Sequence, residues 1–177
     1  MWKLLVLGLW ITLPKMGLSH VTFTNLKCSS YNPEYLAFPT CQIKAVNRTH
    51  KYINIYTKLL QLPVSTSWVK IQFLRFDNGY KPFFIDISYD GCKFFRDREK
   101  NPLANLFYNT FRNSTNLNHT CPYNHDVIVD KLWTGNLEKD FGRYILIPNG
   151  DYAVYSEWSC DGTPRASVKI YMKLFDK

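Results

Sequence analysis

Residues with the right types for chemistry crowd together once. His119, Cys121 and His125 spell H-x-C-x₃-H. Structural zinc takes four ligands, usually as two closely spaced pairs, and no second pair follows here. A cysteine expected in a disulfide has no thiolate to give a metal. The cluster therefore reads as two exposed loop histidines beside a structural cysteine, and no metal is expected. Two carboxylate pairs, Asp86 with Asp90 and Asp126 with Asp130, invite a hydrolase reading. At a spacing of four on a strand each pair shares a face, with its members about 13 Å apart. That is too wide for a retaining glycosidase and wider than most inverting ones. Turn and strand-end solvation explains them better. There is no G-x-S-x-G elbow, no glycine-rich phosphate loop and no H-E-x-x-H. Cys160 as a nucleophile would need a histidine and a polar niche. No catalytic residue and no cofactor are expected; the chain reads as a non-enzyme.

The elements that must position any site come from a chain of 177 residues with a formal net charge of +8. That length suits one domain. Hydrophobic residues make up 46% and charged residues 20%, so the chain can bury a core, and disorder is excluded. With 12 Tyr, 12 Phe and 5 Trp, aromatics supply much of that core. Phe73, Phe83, Phe84, Phe94, Phe95, Phe107, Phe111, Tyr152, Trp158 and Phe175 are the candidates.

The first nineteen residues look like an export signal. Lys3 is a short basic start, Leu4 to Leu13 is an apolar run, and Gly17 and Ser19 are small residues suited to cleavage before His20. The run is too short to span a bilayer. Residues 1–19 are thus expected as a signal peptide and residues 20–177 as the mature domain. Three sequons agree with export: Asn47-Arg-Thr, Asn113-Ser-Thr and Asn118-His-Thr, expected as glycosylation sites. No later apolar run reaches membrane length, so the mature chain is expected to be soluble and extracellular without a transmembrane segment. That address disfavours nucleic acid as a partner. The basic stretch Lys93, Arg96, Arg98 and Lys100, with Arg112, could face anionic headgroups or glycans, but Asp97 and Glu99 offset it.

Alternation dominates the mature chain. Ile53, Ile55, Thr57 and Leu59 fall on one face, and Tyr52, Asn54, Tyr56 and Lys58 on the other. Val69, Ile71 and Phe73 alternate with Lys70 and Gln72. Asn78-Gly79 then predicts a hairpin into the strand from Pro82 to Tyr89. Tyr152 to Trp158 and Val168 to Leu174 repeat the pattern around a turn at Asp161-Gly162. Residues 101–112 break it: Leu103, Leu106, Phe107 and Phe111 sit at helical spacing behind Pro102, predicting one short helix. Seven to nine strands in this order predict an antiparallel β-sandwich or barrel.

Five cysteines suit an oxidising compartment, and an odd number leaves at most two internal disulfides. Spacing alone does not fix their connectivity. Cys28 and Cys41 flank YNPEYLAFPT, which reads as a loop that a disulfide could close, and Cys92 and Cys121 bracket a polar excursion.

The run of landmarks VTFTNLKC (21–28), CQIKAVNRT (41–49), NGYKPFFIDISYDGCKF (78–94), NPLANLFYN (101–109), NHTCPYNHDVIVDKL (118–132) and IPNGDYAVYSEW (147–158) resembles an insect-expanded family of small secreted domains of unknown function. That family is grouped with the ML (lipid-recognition) superfamily and is similar to the CheB-type chemosensory proteins. The resemblance implies an immunoglobulin-like sandwich with one short helix, whose sheets part to admit an apolar ligand. It places the recurring cysteines on Cys28, Cys41, Cys92 and Cys121 and leaves Cys160 as a buried free thiol. A wider ML-type pattern would instead pair Cys28 or Cys41 with Cys160.

Ile53, Ile55, Leu59, Ile71, Phe73, Val154, Val168 and Ile170 are the expected inward-facing residues, from alternation and an assumption about the buried face. Patterning does not separate a filled core from a lined cavity. A lined one, of about 300–1,000 Å³, would suit one lipid or hydrocarbon-like signal. The leading expectation is a secreted, glycosylated, disulfide-bonded binding protein for a small hydrophobic ligand. The resemblance implies a role in contact chemosensation, lipid transport or innate recognition, with a membrane receptor as a further partner. The alternative is a ligand-free adhesion or receptor-partner module using aromatics such as Tyr52 and Tyr56.

Overall fold

Two antiparallel sheets face each other in the computed structural model, which describes residues 19–48, 50–135, 138 and 147–176. The strands are β1 (Ser19–Ser30), β2 (Leu36–Ala45), β3 (Lys51–Leu59), β4 (Trp68–Phe76), β5 (Tyr80–Asp90), β6 (Val127–Trp133), β7 (Gly150–Cys160) and β8 (Thr163–Asp176). One sheet has the order β1-β8-β7-β4-β5 and the other β2-β3-β6. The fold is an all-β sandwich. The expected leader lies outside the described residues except for Ser19, where β1 begins. Among the described residues no helix is long and apolar enough to cross a membrane.

The hairpins form where the sequence carries their turn chemistry. Asp161 and Gly162, with φ of 51° and 72°, are the two residues that join β7 to β8. Positive φ at both central residues is what a two-residue hairpin needs to match strand twist, and Asn, Asp and Gly tolerate it best. Asn78 and Gly79 also take positive φ (51° and 121°) in the link between β4 and β5. The helical pattern is met by α2 (Pro102–Phe111), preceded by the four-residue α1 (Gly91–Phe94), which Asp90 caps by accepting from the Lys93 N–H at 2.9 Å.

Two expectations need correction. The segment 31–40 is not all loop: β2 starts at Leu36 and runs through Pro39. Its register with β3 shifts between Ala37 and Thr40, so Pro39 sits in an irregularity where no ladder N–H is required. Phe84 is not a core residue; it is 52% exposed with φ 47°. The cause is alternation itself: Phe83, Ile85 and Ile87 face the core and Phe84 falls on the opposite face of β5. The ladder also shifts there by two residues, since Phe73 opposes Ile85 while Leu74 opposes Pro82. The strand β6 carries a further irregularity, where Asn54 Oδ1 accepts from the Lys131 N–H at 2.7 Å and replaces a ladder bond.

The edges of the sandwich are closed differently. On one side β1 and β2 belong to different sheets and the Cys28–Cys41 disulfide joins them, with Lys51 Nζ donating to the Phe23 carbonyl at 2.8 Å nearby. On the other side the excursion between β5 and β6 packs α2 against β5. Phe94, Ala104 and Tyr108 form its own small core against Ile87 and Tyr89. The Cys92–Cys121 disulfide ties its two ends. The two bonds take up the four expected cysteines, and the alternative bond from Cys28 or Cys41 to Cys160 is not formed, since Cys160 is free and buried.

Candidate functional site

Between the sheets lies a cavity of about 240 Å³. All eight expected inward residues line it: Ile53, Ile55 and Leu59 from β3, Ile71 and Phe73 from β4, Val154 from β7, and Val168 and Ile170 from β8. They meet there because period-two alternation puts each on the inner face of its own sheet. Val21 and Phe23 of β1, Phe38 of β2 and Val129 and Leu132 of β6 complete the walls, and Phe107 and Phe111 of α2 cover the β5–β6 side. The interior is therefore lined rather than filled. It is smaller than the range expected from the sequence, because large rings such as Phe73, stacked parallel on Tyr152 at 5.3 Å, occupy the adjoining space.

Polar side chains of the wall find their partners locally. Thr110 Oγ1 donates to the Phe107 carbonyl at 2.7 Å, Ser156 Oγ to the Val168 carbonyl at 3.2 Å, and Trp158 Nε1 to Ser156 Oγ at 3.2 Å. The Tyr123 hydroxyl donates to the His119 carbonyl. Bonds of this kind satisfy buried polar groups and leave mostly carbon facing the cavity.

One end is different. Tyr35, Cys160 and Arg165 line the wall there, beside Leu36, Val64 and Ala166. The Arg165 guanidinium carbon lies 4.2 Å from the centre of the Tyr35 ring. Burial first, then the neighbouring Cys160 thiol, pushes the Tyr35 hydroxyl up to about 12. Burial also raises the Cys160 thiol, which keeps it protonated and unreactive. Intact-mass analysis after an iodoacetamide pulse is expected to show a single added group, acquired on the order of tenfold or more slowly by the folded chain than in denaturant. Rapid native alkylation would contradict a buried thiol.

Alternation missed Arg165, because its neighbours Ala166 and Val168 already hold the inner face. Trp158 opposes Ala166 while Ser159 opposes Pro164, so Arg165 is the extra residue of a bulge. Bulges re-aim side chains, and no local signal in the sequence announces this one. Tyr35 was hidden for a similar reason: it lies in the turn before β2, where no period applies.

The other candidates lie apart from the cavity or serve structure. His119 and His125 face each other, Nε2 to Nε2, at 3.0 Å, and the sulfur of Cys121 between them in sequence is bonded to Cys92. Asp86 accepts from Gln72 Nε2 at 2.8 Å and Asp90 caps α1. Asp126 accepts from the Tyr56 hydroxyl and, at 2.9 Å, from the Leu59 N–H; the tyrosine bond holds its carboxyl below the usual range. Tyr56 is thereby tied down, while Tyr52 lies in a shallow cleft with Val46, His50 and Trp133. Lys93 and Lys100 pair with Asp90 and Asp97, and Arg98 lies over Tyr108, which reduces the free charge of the basic stretch. Asn47, Asn113 and Asn118 are exposed.

No curated protein matches the chain at a significant level. The segment from Val69 in β4 to Val154 in β7, which carries the helical excursion and part of both cavity walls, matches a family model described as protein of unknown function (DUF1091), residues 69–154.

Proposed function

We propose that this chain is a secreted binding protein that holds one slender apolar molecule, or one acyl chain, between its two sheets. The observation that carries the reading is the cavity of about 240 Å³ with its carbon-faced wall. An engineered apolar cavity of about 150 Å³ already stays dry and takes up benzene. The present one is below the roughly 300–1,000 Å³ of drug-sized sites, which favours a narrow chain over a sterol-like ring system. Each methylene moved into it would contribute about 0.8 kcal/mol. Two disulfides and the leader-like start support an oxidising, extracellular address, with sugars on the exposed Asn47, Asn113 and Asn118. The resemblance to chemosensory proteins extends the reading to a carrier of an apolar signal that hands it to a membrane receptor.

The test is to fill the space. Val154→Trp adds an indole to the wall and is expected to reduce uptake of the fluorescent probe N-phenyl-1-naphthylamine by about tenfold or more, with the β-sheet circular dichroism retained. Native mass spectrometry of the chain secreted from insect cells should show a bound mass that disappears on organic extraction. A clean apo mass and probe uptake unchanged by Val154→Trp would favour an adhesion module instead.

A further inference from the structure

Among the described residues Arg165 is the one charged residue of the cavity lining, and a purely apolar pocket has no need of one. Arg165 reaches the wall only through the bulge in β8, and its backbone carbonyl is fixed there by accepting from the Tyr31 N–H at 2.8 Å. The side chain is half-buried, and its guanidinium is held against the Tyr35 ring. Among the described residues, Arg165 Nε is the buried side-chain polar atom of the lining that has no hydrogen-bond partner. The neighbouring carboxylate does not serve it: Asp161 Oδ1 accepts from the Thr66 hydroxyl at 2.6 Å, and no ion pair to Arg165 forms among the described residues.

A buried donor left without an acceptor is costly, and a half-buried cation attracts an anion more strongly than a solvated one. A guanidinium presents Nε–H and the adjacent Nη–H as a planar edge that matches the two oxygens of a carboxylate. The rest of the cavity wall offers an alkyl chain mainly carbon. Building on the proposed binding role, we infer that the ligand is a single-chain carboxylate of the fatty-acid type, its chain between the sheets and its head group on Arg165. The arginine selects the charged head over a neutral one, and the walls select the narrow chain.

The experiment compares dodecanoate with dodecanol, matched in chain and different in head, as competitors of N-phenyl-1-naphthylamine on the full secreted chain near neutral pH. The native protein is expected to prefer the acid by about ten- to a hundredfold, the range of a charge-assisted hydrogen-bonded pair. Arg165→Gln should bring the two affinities together by weakening the acid, with dodecanol changed by less than about twofold. Arg165→Lys should keep part of the preference, since it keeps the charge and loses the planar edge. Equal affinities in the native protein, or a preference that survives Arg165→Gln, overturns the head-group assignment while leaving a neutral-ligand carrier intact. Failure of both compounds to displace bound probe, or of the probe to enter, overturns the carrier reading and this inference with it. The native preference needs no variant, so a misfolded substitution does not protect the proposal.

Discussion

Replacing Cys92 and Cys121 together with serine is expected to lower the stability of the folded chain by about 3–4 kcal/mol and its melting temperature by about 10 °C. The bond closes a loop of 29 residues, and the entropy it removes from the unfolded chain grows with loop length. The 13-residue loop of Cys28–Cys41 should be worth slightly less, about 3 kcal/mol. The two losses should differ in kind. Cys28–Cys41 joins strands that the ladders β1–β8 and β2–β3 already hold, so its loss weakens the whole sandwich. Cys92–Cys121 holds an excursion whose other attachments include the small cluster of Phe94, Ala104 and Tyr108, Phe107 in the main core, the Thr120 hydroxyl on the Cys92 carbonyl at 2.7 Å, and the bridges from Val64 to Tyr123 and from Thr115 to Val129. Phe107, Phe111, Leu117 and Tyr123 all reach the cavity from this excursion. Its loosening should therefore shorten the residence of any bound probe as well as lower stability. Urea unfolding and stopped-flow probe release measure the two effects. A stability loss below about 1 kcal/mol with unchanged release would mean that the excursion is held by its own packing.

Most of the sandwich was legible because its strands are half-buried and a half-buried strand has to alternate. Ile53, Ile55 and Leu59 on one face predicted β3 and the cavity wall with the same pattern, and Asn78-Gly79 and Asp161-Gly162 announced their hairpins through residues that accept positive φ. What escaped was the set of places where one residue too many enters a ladder. Pro39, Lys131 and Arg165 all sit at register shifts of one residue, and such a shift exchanges the two faces without any change in composition. The first two changed only an edge strand. The third put a charged residue into the cavity lining, which is why the walls of the site were readable and its polar end was not. The volume was also beyond reach, because alternation specifies which side chains point inward and not how far apart the two sheets stand.

Phe73→Ala is expected to be the most destabilising single change in the wall and also to widen the range of bound ligands. Its ring is 2% exposed, lies parallel to Tyr152 with 9° between the planes, and meets Phe84 edge-on at 5.4 Å. Tyr152 is fully buried and fixed by its hydroxyl, which donates to the Pro148 carbonyl at 2.6 Å, so it is poorly placed to collapse into the gap. A large buried ring replaced by alanine without relaxation costs about 3–5 kcal/mol. Because Phe73 already borders the cavity, the new void would be continuous with the old one rather than sealed. An apolar ligand could then recover part of the lost contact, whereas a filled core would offer it no entry. The variant should accordingly gain more thermal stability from saturating N-phenyl-1-naphthylamine than the native chain does; a ligand at about a hundred times its Kd contributes about 2.7 kcal/mol. Phe73→Leu, which removes less volume, should fall between the two in both stability and rescue. A cost below about 1.5 kcal/mol with no added rescue would mean that the sheets close over the gap, and that the cavity is a packing defect and not a binding space held open by its rings.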